Sequence, residues 1–287
     1  MGRRWVILIA VGCAVAALLV TSLAHQHRQA SAVVPQNAPR LGKIDFNKMP
    51  ETSGMAASRR YPGVYWVHGD SGTEAAIYAV TREGWLIRKI LVNARNIDWE
   101  DIATDEAGHL YLSDTGNNHG QRSTVRVLRV DEPNPDIDVP PLNVEESWEL
   151  TFPGQPLNCE SLLVYAGEGF LISRFGDGKA AQVYRFSLAP PKAPVQLEKF
   201  LTLPIKTAIT AASLDPDDGR IAILSKDALL VYDVAGDVSR LATAKPFRVP
   251  LIPPHRLEAC CFAPDGIIAA AETGEIYLFP SWPGRSR

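Results

Sequence analysis

Polar side chains recur in pairs, two residues apart, at several points along this chain. Three of the pairs are Asp98-x-Glu100, Asn158-x-Glu160 and Arg256-x-Glu258. Residues two apart in a β-strand lie on the same face of a sheet, so each pair would project in one direction. Carboxylate and amide oxygens suit Ca²⁺, whereas the cysteines and histidines show no zinc-type spacing. The pattern predicts a calcium site with the ligands Glu100, Glu160, Glu258, Asp98 and Asn158.

Further polar residues occupy equivalent places in the repeats of this sequence. If the repeats form a ring around a central channel, these residues lie near one end of that channel. Glu51-x-Ser53 and Thr210-x-Ala212 complete the set of pairs, and a second aligned position holds Asp70, Asp114, Arg174, Lys226 and Glu272. Together these positions contain eight carboxylates against three cations, Arg174, Lys226 and Arg256. Carboxylates that converge in a dehydrated channel must protonate, pair with cations or bind a metal. Two interpretations follow: a bound divalent cation, or a network of ion pairs and hydrogen bonds.

The run Gly69-Asp70-Ser71-Gly72 matches the residues around the nucleophilic serine of chymotrypsin-type proteases. The aligned strings elsewhere in the chain are LSDTGN, SRFGDG, LSKDAL and AAETGE, which are rich in turn-forming residues. His68 is adjacent in a strand and should point away from Asp70, so no catalytic triad is recognisable. We therefore interpret Ser71 as a turn residue.

The elements that must position these side chains form an array of repeats. One strand type recurs as AIYAV, VRVLRV, QVYRFSL, LLVYDV and EIYLFP, in steps of 45 to 56 residues. Two strand candidates precede each copy, and a further candidate follows the first four copies. Four short antiparallel strands in a unit of about 40–50 residues are the signature of a β-propeller blade.

We therefore predict an all-β fold, a β-propeller of five four-stranded blades. Six blades are the alternative, if the long second or third unit hides another. The fifth copy lacks a fourth strand, and the segment 41–49 (LGKIDFNKM) alternates apolar and polar residues. Pairing this N-terminal strand into the last blade would remove two sheet edges and close the ring. Asp101 is out of phase with Glu100 and is expected to face a neighbouring sheet or solvent.

The N-terminus differs from the propeller domain, which spans 41–287. Arg3 and Arg4 precede twenty uncharged residues, WVILIAVGCAVAALLVTSLA, a length that crosses a bilayer as one helix. Ser22-Leu23-Ala24 also fits a signal-peptidase site. Residues 1–24 are thus predicted to be a signal anchor or signal peptide, and 25–40 a flexible stalk. The predicted location is extracytoplasmic, either membrane-anchored through this helix or secreted after cleavage near Ala24.

Composition narrows the range of partners. A formal net charge of −3 creates no field that would attract nucleic acid. Outside the apolar segment the cysteines are Cys159, Cys260 and Cys261, an odd number with two adjacent, so buried thiols are expected instead of a disulfide framework. We expect a monomer that binds a small molecule or an envelope protein.

The chain resembles a group of uncharacterised secreted or anchored bacterial propeller proteins. Their marks are strings like ELSGLAAS, HNDSG, NVDWEDLA and GDIGDN, which here read ETSGMAAS (51–58), HGDSG (68–72), NIDWEDIA (96–103) and SDTGNN (113–118). The architecture is more loosely similar to SdiA-regulated, NHL-repeat and gluconolactonase/paraoxonase propellers. Several of those hold calcium with channel carboxylates and asparagine, and this likeness implies acidic and amide groups at the channel end.

Two functions follow as hypotheses. The first is a binding or interaction module that uses the propeller face, with a cation in its central channel. The second is a calcium-dependent hydrolase of lactones or phosphoesters, in which the metal would polarise the scissile oxygen. The sequence singles out no catalytic residue for the second hypothesis.

Overall fold

The computed structural model describes residues 38–45, 47–49, 51–175, 179–251 and 256–280. The predicted anchor, 1–24, and most of the predicted stalk lie outside these residues. Within the described ranges, no helix has the length and apolar character needed to span a bilayer.

The described chain folds into five sheets, and all their strand pairs but one are antiparallel. It begins with β1 (Arg40–Lys43). The strands of blade 1 are β2 (Thr52–Ala57), β3 (Tyr65–Gly69), β4 (Ala76–Val80) and β5 (Leu86–Leu91). Those of blade 2 are β6 (Asp101–Thr104), β7 (His109–Asp114), β8 (Val125–Asp131) and β9 (Glu146–Thr151). Blade 3 starts with β10 (Cys159–Tyr165), β11 (Glu168–Ser173) and β12 (Gln182–Ser187).

The short strand β13 (Val195–Gln196) then pairs in parallel with β9, and β14 (Glu198–Thr202) completes blade 3. The strands of blade 4 are β15 (Ile209–Leu214), β16 (Ile221–Ser225), β17 (Ala228–Tyr232) and β18 (Phe247–Pro250), with a 3₁₀ helix, Val238–Ala242, before the last. Blade 5 contains β19 (Leu257–Ala263), β20 (Gly266–Ala271) and β21 (Glu275–Phe279). β1 pairs antiparallel with β21, with Lys43 opposite Glu275.

The innermost strands form a ring in which each contacts the next: β2, β6, β10, β15, β19 and β2 again. Hydrogen bonds between blades join the strand starts, for example Thr52 N to Glu272 O at 3.1 Å and Ile209 N to Arg174 O at 2.9 Å. The prediction of a propeller with five four-stranded blades is confirmed, and the six-blade alternative is wrong. Cys159, Cys260 and Cys261 are free and buried, as expected.

Apolar side chains fill the space between adjacent blades. Large side chains such as Trp66, Trp99, Trp148 and Tyr232 are almost completely buried. One cluster joins β10 to β12 with β15 to β17 through residues that include Phe170 and Ile223. Burial of these apolar side chains between neighbouring sheets holds the blades together.

A bulge at the start of the inner strand gives four blades a common geometry. The register shifts at Ser53, Glu160, Thr210 and Glu258, so these residues are equivalent. The predicted pair Thr210-x-Ala212 is therefore wrong by two residues. Ala208 holds the outer position, because its carbonyl accepts the Lys226 N–H at 2.9 Å just as the Asn158 carbonyl accepts the Arg174 N–H at 2.9 Å.

Candidate functional site

A cavity of about 320 Å³ lies at the channel end where the inner strands begin. Its polar lining contains five carboxylates and three cations. The lining residues are Thr52, Ser53, Asp70, Glu100, Asn118, Glu160, Arg174, Lys226, Arg256, Glu258 and Glu272. The inner strands all begin at the same end of the channel. The residues at their starts therefore lie together in space although they are far apart in sequence.

Three carboxylates approach one another most closely. An oxygen from each of Asp70, Asp98 and Glu100 lies within 4.8 Å of an oxygen from the other two. Asp98 and Glu100 belong to the ligand set predicted from sequence, whereas Asp70 was placed only among the channel-end residues. We call Asp70, Asp98 and Glu100 the acidic cluster.

Glu100 is the most buried member of the acidic cluster, with 5% of its surface exposed. Burial, followed by the charges of Glu160, Asp70 and Asp98, raises the pKa of Glu100 well above its usual range. Within the described part of the chain, no residue donates a hydrogen bond to its carboxylate. A nearly buried carboxylate without a donor is a group that a cation would stabilise.

Gly116 makes room for the acidic cluster. A Cβ at this position would lie 2.2 Å from Asp98 Oδ2 and 2.3 Å from Glu100 Oε1, so any side chain would displace both carboxylates. The Gly116 N–H donates to the Asp98 carbonyl at 3.0 Å. In blades 1, 3, 4 and 5 the equivalent bond comes from the first residue after the second strand, so blade 2 departs from the repeat here.

Asp114 hydrogen-bonds to the backbone of Asp98 and does not line the cavity. It is completely buried, its carboxylate forms an ion pair with Arg122 Nη2 at 2.9 Å, and its Oδ2 accepts a hydrogen bond from Arg126 Nε at 2.8 Å. Its Oδ1 also accepts the Asp98 N–H at 3.0 Å. Asp114, predicted to be a channel-end group, ends β7 beside Asp98, but both its carboxylate oxygens are engaged inside the blade. It is a positioning residue for Asp98.

Glu160 and Asn158 belong to a hydrogen-bond network instead of the acidic cluster. Glu160 Oε1 accepts from Arg174 Nη1 and from Asn158 Nδ2, the latter at 2.8 Å. Asn158 Oδ1 accepts the Asn117 N–H at 2.8 Å, and its Nδ2 also donates to Asn118 Oδ1 at 3.0 Å. Asn158 and one carboxylate oxygen of Glu160 are therefore engaged by protein partners.

The other predicted channel-end residues divide between the cavity and its surroundings. Burial, followed by the charge of Glu160, raises the pKa of Glu258 to about 8 despite the nearby Arg174. Glu272 forms an ion pair with Arg256 at 2.9 Å. Glu51 does not line the cavity; its backbone carbonyl accepts the Asp70 N–H at 2.9 Å.

Ser71 belongs to a turn, as predicted. Its backbone N–H donates to Asp70 Oδ1, and Thr73 Oγ1 closes the turn on the Asp70 carbonyl at 2.6 Å. His68 is fully buried, with its ring edge-on to Trp99 at 5.7 Å. Burial lowers the pKa of His68 to about 4. The structure thus holds His68 as a neutral core residue away from Ser71.

Two residues that line the cavity, Asn118 and Thr52, are absent from the predicted ligand and channel-end residues. Asn118 follows the SDTG turn, and no periodic pattern marks it as facing the channel. Thr52 precedes the bulge; it is 1% exposed, and its buried Oγ1 has no hydrogen-bond partner among the described residues. An unpartnered hydroxyl at a cavity wall is a further polar group that a ligand or an ion could satisfy.

The chain is thus a five-bladed β-propeller with an acidic cavity at one end of its channel. No protein-family model and no curated protein matches it. Similar solved structures include a gluconolactonase from Xanthomonas campestris, with TM-score 0.48 and 11% identity over 85% of this chain and 90% of that chain. Virginiamycin B lyase from Staphylococcus aureus has a TM-score of 0.43 and 10% identity, and the match covers 84% of this chain and 98% of the lyase chain. Likeness at this level carries no argument about function.

Proposed function

We propose that this protein is a binding module whose channel end holds a divalent cation in the acidic cluster. The observation that carries the proposal is the approach of three carboxylate oxygens to within 4.8 Å around Glu100, a nearly buried carboxylate to which none of the described residues donates a hydrogen bond. Oxygen-only ligands favour Ca²⁺ over zinc or copper. The bound cation would neutralise the acidic cluster and offer its remaining positions to a polar ligand.

The residues assigned to the cation are Asp70, Asp98 and Glu100, with the unpartnered Thr52 hydroxyl nearby in the cavity wall. Asn158 and Glu160 act through the neighbouring network, and Glu258 lies outside the acidic cluster. The set of five ligands predicted from sequence also contained Asn158 and Glu160. They are left out here because Asn158 hydrogen-bonds to Asn117 and Asn118, and Glu160 to Arg174.

Calorimetric titration of the chelator-treated chain with Ca²⁺ tests this function. One equivalent should bind, and binding should raise the melting temperature. At a calcium concentration about 100 times Kd, the added stability is about 2.7 kcal/mol, which corresponds to a rise of about 5–10 °C. Absence of both heat and stabilisation at millimolar Ca²⁺ would remove the cation and leave the network of ion pairs as the role of the site.

The second candidate is a calcium-dependent hydrolase of lactones or phosphoesters. One observation favours it: the same cavity contains carboxyl groups whose pKa values are raised toward neutrality, Asp70 to about 6 and Glu258 to about 8. Such groups can exchange protons with a substrate at neutral pH. No histidine among the described residues lines the cavity, so a carboxylate would have to serve as the base. Turnover of a lactone or aryl-ester panel, lost in Glu258→Gln, would favour the hydrolase.

We further propose an extracytoplasmic location, which rests on the sequence of residues 1–24 alone. Membrane fractionation of cells that express the full chain, followed by protease treatment of intact spheroplasts, tests it. Degradation of the propeller domain from outside supports the location. Recovery in the cytoplasmic fraction contradicts it.

A further inference from the structure

His109 is the centre of a second group of polar side chains, at the opposite end of β7 from Asp114. The group consists of Asp105 in the turn before β7, Asp131 at the end of β8, and Glu145 before β9. His109 and Asp131 are direct cross-strand neighbours, and the Glu145 N–H donates to the Arg129 carbonyl at 2.9 Å. Backbone pairing therefore fixes the relative positions of the three strand segments.

Asp105 sets the orientation of the His109 ring. Its Oδ2 accepts from His109 Nδ1 at 2.7 Å and from the Tyr111 hydroxyl at 3.0 Å, while its Oδ1 accepts the His109 backbone N–H at 2.9 Å. Nδ1 must carry its proton to donate to a carboxylate, so the lone pair of the neutral ring is on Nε2. A carboxylate behind a histidine in this way is the usual support for a metal-ligating imidazole.

His109 Nε2 faces two carboxylates that it does not contact directly. Asp131 Oδ1 lies 3.7 Å away, which is longer than a hydrogen bond. A nitrogen of His109 and one oxygen each from Asp131 and Glu145 lie within 4.8 Å of one another. Two ligands of one tetrahedral metal, each about 2.1 Å from it, are separated by about 3.4 Å. The 3.7 Å between Nε2 and Asp131 Oδ1 is close to this separation, whereas the longer separations in the group, up to 4.8 Å, would have to shorten on binding an ion.

The charges around the gap match a divalent ion. Asp105, Asp131 and Glu145 contribute three negative charges, and Arg129 Nε, 3.5 Å from Glu145 Oε2, contributes one positive charge. We propose that His109, Asp131 and Glu145 bind a zinc-class ion, with Asp105 as the positioning residue. One imidazole nitrogen with two carboxylates suits Zn²⁺, Co²⁺ or Ni²⁺ better than Ca²⁺. Three protein ligands leave a coordination position open to water or to a ligand.

The test is titration of the full-length, chelator-treated chain with Zn²⁺, in excess Ca²⁺ so that sites with only oxygen ligands are occupied. One equivalent of zinc should bind, and Co²⁺ in its place should give the visible absorption of a low-coordinate site. Zinc affinity should fall at least 100-fold in His109→Gln and about 10- to 100-fold in Asp105→Asn. NMR should show the His109 ring shifting on zinc addition.

Glu145→Gln and Glu149→Gln form a matched pair, since both glutamates lie beside or on β9 and both substitutions remove one negative charge. The first should weaken zinc binding about tenfold and the second should leave it unchanged. Melting curves without zinc confirm that each variant is folded.

Two results would overturn the proposal: no stoichiometric zinc uptake, or equal uptake by wild-type and His109→Gln. Either would leave His109 as a hydrogen-bond partner of Asp105 that lies beside Asp131. The proposal does not depend on the channel-end cation.

Discussion

Gly116 and Asp98 are in contact so close that a single methyl group would separate them: a Cβ on Gly116 would lie 2.2 Å from the Asp98 carboxylate carbon. The same Cβ would lie 2.3 Å from Glu100 Oε1. The absence of a side chain at this position is therefore what allows both carboxylates to turn toward Asp70.

Gly116→Ala should disrupt the acidic cluster. We expect calcium affinity to fall at least tenfold, about 1.4 kcal/mol, and the free energy of unfolding to fall by about 1–3 kcal/mol from overpacking. Calorimetry and denaturant melts measure the two effects. Gly63→Ala is the control, because open space surrounds Gly63 but its φ of 84° strains any side chain. It should lose stability and keep calcium binding; equal calcium binding by both variants would contradict the role of Gly116.

Glu100→Gln keeps the shape of the side chain and removes its charge. Calcium affinity should fall at least tenfold, whereas the metal-free protein should be as stable as wild-type or more so, since a buried unpaired charge is gone. Glu258→Gln removes the same charge from the same cavity but outside the acidic cluster, and should leave calcium affinity within about twofold. If the two variants lose affinity equally, the five-residue ligand set predicted from sequence describes the site better than the acidic cluster does.

The repeats made the fold and most of the cavity predictable. Aligning the five copies put Glu100, Glu160 and Glu258 at the same place in three of the five inner strands, and a ring of inner strands must gather such residues at one end. The second aligned position likewise brought Asp70, Arg174, Lys226 and Glu272 to the cavity.

Departures from the repeat could not be predicted in this way. Blade 2 has one extra residue between the end of its second strand and its strand-start hydrogen bond, so Gly116 donates that bond and Asp114 is the buried last residue of β7. The arginines that bind Asp114 come from the following loop and from β8, and neither has an equivalent in the other copies. Which carboxylates then meet depends on side-chain directions in two neighbouring turns, which a strand pattern does not encode.

Asp101 follows the alternation rule. As predicted from its phase against Glu100, it faces a neighbouring sheet: its Oδ2 accepts the Leu162 N–H of β10 at 2.8 Å. It is completely buried there, so of the two predicted surroundings the structure selects the sheet and not solvent.

Calcium binding and pH should be coupled through the raised carboxyl groups. Burial is the main cause that raises the pKa of Asp70 to about 6 and that of Glu258 to about 8. Both groups hold a proton more tightly in the folded chain, so their stabilisation is complete below the unfolded pKa of about 4 and is lost as pH rises through the folded values.

The melting temperature of the metal-free protein should therefore fall as pH rises from about 5 to 8.5, and calcium should raise it more at the higher pH. Calorimetry in buffers of different ionisation enthalpy should detect proton release on calcium binding near pH 6. A calcium-induced rise that is the same at both pH values would contradict this coupling. Glu258→Gln should flatten the upper part of the pH profile and leave the lower part.

Asp101 joins the inner strands of three blades and should be important for stability but not for cation binding. Its Oδ1 accepts the Ile102 N–H and its Oδ2 the Leu162 N–H, each at 2.8 Å, and the Ala212 N–H adds a third bond. Asp101→Asn turns one acceptor into a donor that faces a backbone N–H, which should cost about 2–4 kcal/mol.

Denaturant melts should show this loss in Asp101→Asn, while calcium affinity stays within about twofold, because the carboxylate is outside the acidic cluster. Asp138→Asn is the control: its side chain is 97% exposed in an ion pair with Arg88, and its loss should change stability by less than about 1 kcal/mol. An Asp101→Asn protein as stable as wild-type would mean that apolar packing between blades holds the ring without this carboxylate. A large loss of calcium affinity would mean that the arrangement of the acidic cluster depends on the hydrogen bonds that Asp101 makes between the inner strands.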